Sequence, residues 1–432
     1  MKKHKIFYGW WIVLGALLLT STLVPSVVAM ANKFLIPVTA EMGISRSAFT
    51  LSNTILQSVG IFLSPFVAKK ITTGNLRTIQ SVSIIVFTLA YASYGLAQSP
   101  IHLYLSSFII GICYLFSTII PISIVITNWF VKKRGLAMSI AMTGIGVGGF
   151  VFSPLITMWL ERFGWRTTYM IMAVILLVVS LPVALFVFKK KPSDMGLEPY
   201  GASEPLSQTA SKETNQAESV TVELATKDVL RKPFFIILLI GMALNGIINS
   251  GALGQFPPAL EEMQSPAVAA TVISVYSIVG VLGKLILGWV NDRWGVVVSS
   301  IFGCVTFGAA FVCMFFGSSI VMVYLMAVVF GLGIGIGSVS PPLVTASIFG
   351  AEQYGEVYGY VSSALQVGMS VGSLLVASMY DASGSYQTAW GVLLVLTALT
   401  LFSWIASYSR SRKYCSDAHL TKINNSEKIV AE

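Results

Sequence analysis

Apolar stretches of about 20 residues or more follow one another along the whole chain, each closed by a short polar joint carrying Lys, Arg, Gly or Pro. A helix of about 20 apolar residues crosses a bilayer, and lipid leaves backbone polar groups no partner except within a helix or a closed barrel. A barrel needs ~10-residue alternating strands, and these runs do not alternate. The pattern therefore predicts an all-α membrane protein with twelve transmembrane helices near 8–40, 48–70, 77–97, 101–130, 134–160, 166–188, 232–259, 266–291, 297–316, 319–348, 355–380 and 386–408. The start, Lys2-Lys3-His4-Lys5 with Ala29-Met30-Ala31 further on, imitates a secretory signal. Its apolar run outlasts the roughly 7 to 15 residues of such a signal, so it is read as the first membrane helix.

Composition agrees. Of 432 residues, 55% are hydrophobic and 10% charged, with mean hydropathy +0.80, which excludes a soluble fold. The net charge of +9 raises the question of nucleic acid, but the basic residues flank apolar helices rather than forming one surface. Twenty-two Lys and Arg fall on the side of the termini and the even-to-odd joints, against Arg46, Arg162 and Arg166 on the other. By the positive-inside rule both termini are cytoplasmic, as expected of a multi-pass protein of the cell membrane. Cys113, Cys304 and Cys313 lie in apolar runs and Cys415 in the tail, and no metal-ligand spacing occurs. No cofactor is expected.

Residues 189–231 are polar and charged, cannot bury a core, and are read as a flexible cytoplasmic linker between an N-terminal half (1–188) and a C-terminal half (232–408), with a tail at 409–432. Shifting the chain by 220 pairs Gly111 with Gly331, Pro121 with Pro341, Gly148 with Gly368 and Glu161 with Asp381. Two parallel six-helix halves with a site between them near the midplane is a common secondary-transporter plan.

The motifs carry a family resemblance. Gly288-Trp-Val-Asn-Asp292-Arg293-Trp-Gly295 is similar to the loop signature of the major facilitator superfamily, and the equivalent joint Ala68-Lys69-Lys70-Ile-Thr-Thr-Gly74 lacks its acid. Trp129-Phe130-Val-Lys-Lys133-Arg134-Gly-Leu136-Ala137, running on to Gly144 and Gly148, resembles the helix 4 to 5 signature of the monocarboxylate transporters and oxalate/formate exchangers. Tyr8-Gly9-Trp10-Trp11, Ala48-Phe-Thr-Leu-Ser52 and Pro192-Ser-Asp-Met-Gly-Leu197-Glu-Pro199-Tyr-Gly201 are similar to stretches of the bacterial branch. The resemblance implies the major facilitator fold and alternating access. The runs Gly144 to Gly149 and Gly331 to Gly337 are not nucleotide loops, because no strand precedes them; small residues there let helix backbones approach.

An ionisable side chain inside a span points to function. Lys33 and Lys284 fall within predicted helices, while all 18 acidic residues lie in loops, tails or helix ends. A carboxylate-bearing solute would supply the missing countercharge. Lys284 stands where the resembled transporters carry a substrate-binding arginine in helix 8, and Asn32-Lys33 resembles the helix 1 Pro-Lys of animal carriers. Gly280 stands where those carriers have an aspartate, and Ser362 to Gln366 where the oxalate exchanger has a second cation. The bland alternative for both lysines is snorkelling to a membrane surface. Further candidates for a polar site are Gln57, Tyr114, Asn245, Asn249, Tyr276 and Gln366, whose alternative role is interhelical hydrogen bonding. Asp292 is expected to latch the N-terminus of helix 5 at Arg134, with Arg293 beside it.

These readings converge on a non-enzymatic secondary transporter of small organic anions, monocarboxylates of the lactate, pyruvate or formate class, coupled to protons or to a counter-anion. The alternatives are an oxalate-like dicarboxylate exchanger, a neutral-solute or drug exporter, and a non-transporting membrane sensor.

Overall fold

The computed structural model describes residues 7–28, 31–202 and 231–431. Lys2, Lys3, Lys5, the Ala29-Met30 pair and linker residues 203–230 with Lys212 and Lys227 lie outside the described residues. Ten continuous helical stretches are long and apolar enough to cross a membrane. Two of them, 134–187 and 267–315, are double spans bent at a single left-handed glycine, Gly164 (φ 74°) and Gly295 (φ 82°), which brings the number of spans to twelve. Gly350 (φ 64°) makes the same bend between helices 10 and 11. Only glycine adopts this backbone without strain, which is why the sharp turns fall there.

Three of the expected helices are interrupted. Helix 1 divides into Tyr8–Val27 and Ala31–Met42 rather than running through to 40. Helix 4 divides into Pro100–Ser117 and Ile119–Trp129, with Thr118 outside helical geometry. The cause is Pro121: it has no N–H to give the Ser117 carbonyl, and Gln80 Nε2 donates to that oxygen instead, at 3.2 Å. Helix 10 passes from Ile320–Gly333 through a tighter 3-10 turn, Ile334–Gly337, before Pro341 and Pro342. Asn245 Nδ2 donates to Ile336 O there, at 3.0 Å. Helix 12 continues as Gln387–Ala431, so the tail expected from 409 is helical through Ala431.

The internal repeat has a packing counterpart. Gly111 of helix 4 meets the backbone of Leu56 in helix 2, and Gly331 of helix 10 meets that of Tyr276 in helix 8, each position 220 residues on. Gly148 lies on the Ser21 carbonyl and Gly368 on that of Ala243, so helix 5 packs on helix 1 as helix 11 packs on helix 7. A side chain at 111, 148 or 368 would strike backbone, which cannot move aside locally, and one at 331 would first strike the Val279 side chain.

The linker begins as folded chain, not as free coil. Lys190 Nζ donates to the Thr72 and Gly74 carbonyls that end helix 2, the Gly74 contact at 3.1 Å. Tyr200 N donates to Trp129 O at 2.8 Å, and Val131 N and Lys132 N donate to Tyr200 O at 3.1 and 3.0 Å. Phe7, Trp10 and Phe130 surround the Tyr200 ring. Residues 189–202 thus form a strap across the end of the N-terminal half that carries the chain start.

At the opposite end Glu41 accepts from Arg166 Nε at 2.9 Å and from Trp165 Nε1 at 2.6 Å. These bonds, Arg166 first, hold its carboxyl below the usual carboxylate range. A lowered carboxylate pKa contributes stability that is fully present above the ordinary value and is lost progressively as pH falls from there through the lowered one. E41Q is therefore expected to melt below wild type at neutral pH. Thermal scans against pH should show that gap at its full size above the ordinary carboxylate range, narrowing as pH falls below it and closing beneath the lowered pKa.

Candidate functional site

The halves meet mainly along two helix pairs, 5 with 8 and 2 with 11, and the second segment of helix 4, Ile119–Trp129, also packs on the Ser340–Ser383 stretch. On the first pair, Asp292 closes the end that carries the strap: its Oδ1 accepts from Gly135 N at 2.6 Å and its Oδ2 from Leu136 N at 2.8 Å. Those amides have no partner inside their own helix, and the helix terminus favours negative charge, so the carboxylate caps helix 5 from the other half. Glycines at 135 and 288 make the approach close enough, since a Cβ on either would collide with the facing backbone.

Lys284 lies two helical turns deeper, about 12 Å from Asp292 at 1.5 Å per residue. It is 9% exposed, and its Nζ donates to Met142 O of helix 5 at 3.2 Å. Snorkelling would carry the ammonium to a surface; here it reaches across to the other half instead. Among the described residues no carboxylate pairs with it. One turn beyond, Gly146 still faces Val281, but Gly149 has open space at its Cβ and Phe150 is 76% exposed.

The second pair closes in the same sense. Gly355 meets Thr72, Gly359 meets Pro65 and Ala68, and Gln366 lies half-buried against Gly60. Gln57, one turn further, is exposed. The halves are shut at the strap end and part toward the other, with Lys284 near the depth where they separate.

The remaining expected site residues are not gathered there. Lys33 Nζ donates to Thr157 Oγ1 within its own half at 2.7 Å. Thr157 is 15 residues beyond Met142 on helix 5, which places the two lysines' contacts about 22 Å apart. Asn249 Nδ2 donates to Asn245 O and Oδ1, both at 3.0 Å, and the pair is buried inside the C-terminal half against the helix 10 interruption. Tyr276 is buried edge-on to Phe330 at 5.1 Å, also within that half. Tyr114 is half-buried one turn before the helix 4 interruption, where Thr118 Oγ1 donates to its carbonyl at 2.6 Å. Arg134 Nε donates to Phe130 O at 2.9 Å, so its guanidinium supports the helix 5 terminus rather than gripping Asp292 directly. Arg293 turns away from the gate to lie over Trp289 and Trp294, at 5.5 and 5.6 Å, both of them exposed.

Sequence reasoning missed Gln80 and the Met142 carbonyl. Pro121 was the available signal for Gln80, because it leaves a carbonyl that some neighbour must satisfy. A main-chain acceptor such as Met142 O leaves no signal in residue type.

Comparison with known proteins decides the family. A family model described as Major Facilitator Superfamily matches residues 9–264 and again residues 238–418. The chain belongs to the major facilitator superfamily. Like the superfamily's other members it is a transporter and not an enzyme. This superfamily member is similar to monocarboxylate transporter 12 of Rattus norvegicus, 23% identical over 328 residues, or 71% of this chain and 66% of that one. The chain thus spans just under two thirds of that relative's length. Monocarboxylate transporter 13 of Bos taurus is 23% identical over 445 residues, covering 98% of this chain and 97% of that protein. Among solved structures, the Fucose:proton symporter of E. coli superposes with a TM-score of 0.63 at 14% identity, over 92% of this chain and 99% of that one. That last likeness concerns the major facilitator fold alone.

Proposed function

We propose that this transporter moves small organic anions, monocarboxylates of the lactate, pyruvate or formate class, across the cell membrane by alternating access. Both termini are cytoplasmic in this reading, so the structure is closed inside and open outside. The observation that carries it is Lys284: a buried ammonium between the halves whose described protein partner is a neutral carbonyl. Burying a cation without a countercharge is unfavourable, and an arriving carboxylate removes that penalty with a charge-assisted hydrogen bond. The relatives named monocarboxylate transporters support the same class. The roughly 22 Å between the contacts of Lys33 and Lys284 disfavours a two-cation clamp on a short dicarboxylate.

Lys33 has a different part, tying the outer segment of helix 1 to helix 5 through Thr157 and coupling outer-gate movement to transport. Uptake of labelled monocarboxylates into proteoliposomes, with and without a pH gradient, tests both assignments. Wild type is expected to concentrate the label, and Lys33→Ala to lose gradient-driven uptake while keeping most exchange. No uptake of any monocarboxylate under either condition would sink the reading.

A further inference from the structure

Helix 10 breaks directly behind Lys284. Its 3-10 turn, Ile334–Gly337, packs on helix 8 where the lysine leaves it: a Cβ at Gly335 would lie 3.2 Å from Leu287 Cδ1 and 3.5 Å from Lys284 Cα. One turn earlier the Gly331 carbonyl lies against Gly283, so close that a Cβ there would collide with it. On the other side Ile336 abuts Gly303 of helix 9 and Gly333 meets the Phe307 backbone, which seats the turn between two helices.

The turn cannot satisfy its own backbone. Ser338 N and Val339 N both donate to Gly335 O, at 3.3 and 2.8 Å, and Pro341 and Pro342 have no N–H to return to the Gly337 and Ser338 carbonyls. Asn245 Nδ2 of helix 7 serves Ile336 O at 3.0 Å, with both residues fully buried. Asn249 Nδ2 donates to Asn245 Oδ1 at 3.0 Å, which occupies the amide oxygen and leaves the Asn245 N–H groups for the carbonyl. Asn249, Asn245, Ile336 and Lys284 thus follow one another in a single run of contacts through helices 7, 10 and 8. At its far end the Lys284 ammonium donates to Met142 O of the other half at 3.2 Å.

We propose that Asn245 is a positioning residue for Lys284. By holding the Ile336 carbonyl it keeps the helix 10 turn seated on helix 8, and the seated turn sets the depth from which the ammonium reaches Met142 and an arriving carboxylate. Without the amide a buried carbonyl is left unpaired, and the turn shifts to find water or another donor. A side chain that must meet its ligand to within about 0.5 Å depends on such support. Asn245 touches no substrate in this scheme. Its part in substrate affinity rests on the transport reading above, whereas its hold on the amine does not.

Two substitutions release the turn by independent means. Asn245→Leu removes the donor at nearly constant volume, and Gly335→Ala drives a methyl group between the turn and helix 8 without removing a side-chain hydrogen bond. The first readout needs no transport: purified full-length protein is treated with a water-soluble acetylating reagent, and acetylation at Lys284 is followed by peptide mass spectrometry against the exposed Lys69 and Lys70. Both variants are expected to speed acetylation of Lys284 about fivefold or more, with Lys69 and Lys70 unchanged. Ser407→Ala removes another buried hydrogen bond to helix 7, at Phe234 O, roughly 16 Å along the helix from Asn245, and is expected to leave Lys284 at the wild-type rate. In proteoliposomes, Asn245→Leu is expected to raise KM for lactate about tenfold with kcat little changed. Adding Lys284→Arg, whose longer side chain makes up lost reach, is expected to restore part of that affinity. Acetylation of Lys284 at the wild-type rate in both variants, or an equal rise in Ser407→Ala, would overturn the positioning role, and an unchanged KM would overturn its part in affinity. Faster acetylation in a protein that moves no monocarboxylate would keep the positioning role and sink the transport reading alone.

Discussion

Lys284→Gln is expected to abolish carboxylate uptake while the protein still folds and inserts. The ammonium sits at the junction of the halves and donates to one carbonyl, which a glutamine amide can replace. What the amide cannot replace is the charge that meets a carboxylate in a desolvated site. A hydrogen bond to a charged group contributes about 1.5–3 kcal/mol, so binding should weaken roughly 10- to 150-fold before any effect on gating. Lys284→Arg is expected to keep transport, because a guanidinium offers the same charge in a planar fork suited to carboxylate. Initial rates of uptake against concentration separate the two, with Gln inactive and Arg active. An Arg variant as dead as Gln would mean that the position demands shape and not charge.

In the orientation proposed above, Asp292→Asn is expected to shift the protein from outward-open to inward-open. In the closed gate each carboxylate oxygen accepts one helix 5 amide, and an asparagine keeps a single acceptor while turning an N–H toward the other amide. Losing one charge-assisted bond and the favourable charge at the helix terminus removes on the order of 1–3 kcal/mol from one conformer, a population shift of about 5- to 150-fold. The contact has no twin: the helix 2 to 3 joint has no acid for helix 11, where Thr72 merely meets Gly355. Accessibility of single cysteines reads the shift, with Gln57→Cys reporting the outer mouth and Ser139→Cys, whose side chain is buried against Gly288 in the closed gate, the inner. Asp292→Asn should raise labelling at 139 and lower it at 57. An unchanged pattern would reduce Asp292 to a loop residue.

Hydropathy made the twelve spans legible because lipid imposes one rule on every residue of a helix, and the glycines that bend 134–182, 266–315 and 340–383 fall within the joints read from polarity. The repeat was legible too, since the pairs Gly111/Gly331 and Gly148/Gly368 sit where backbones touch. The interruptions in helices 1, 4 and 10 stayed hidden inside apolar runs, although Pro25, Pro121 and Pro341 marked them. The strap escaped because its hold is made of backbone bonds to residues 60 or more positions away and of rings from the chain start, none of which a local pattern encodes. Among the candidate site residues, a polar side chain in a span announces that it needs a partner but not on which side of its helix the partner lies. Asn245 and Asn249 face inward to their own half, whereas Lys284 faces the other half.

The proposed transport requires a negatively charged solute to meet Lys284 between the halves. Counterflow in proteoliposomes tests this most directly: vesicles loaded with unlabelled lactate, pyruvate, or the uncharged lactamide take up labelled lactate through wild type or Lys284→Gln. Fast counterflow is expected with lactate and pyruvate inside, none with lactamide, and none through Lys284→Gln. Counterflow driven equally by lactamide, or a wild-type rate through Lys284→Gln, would contradict this requirement.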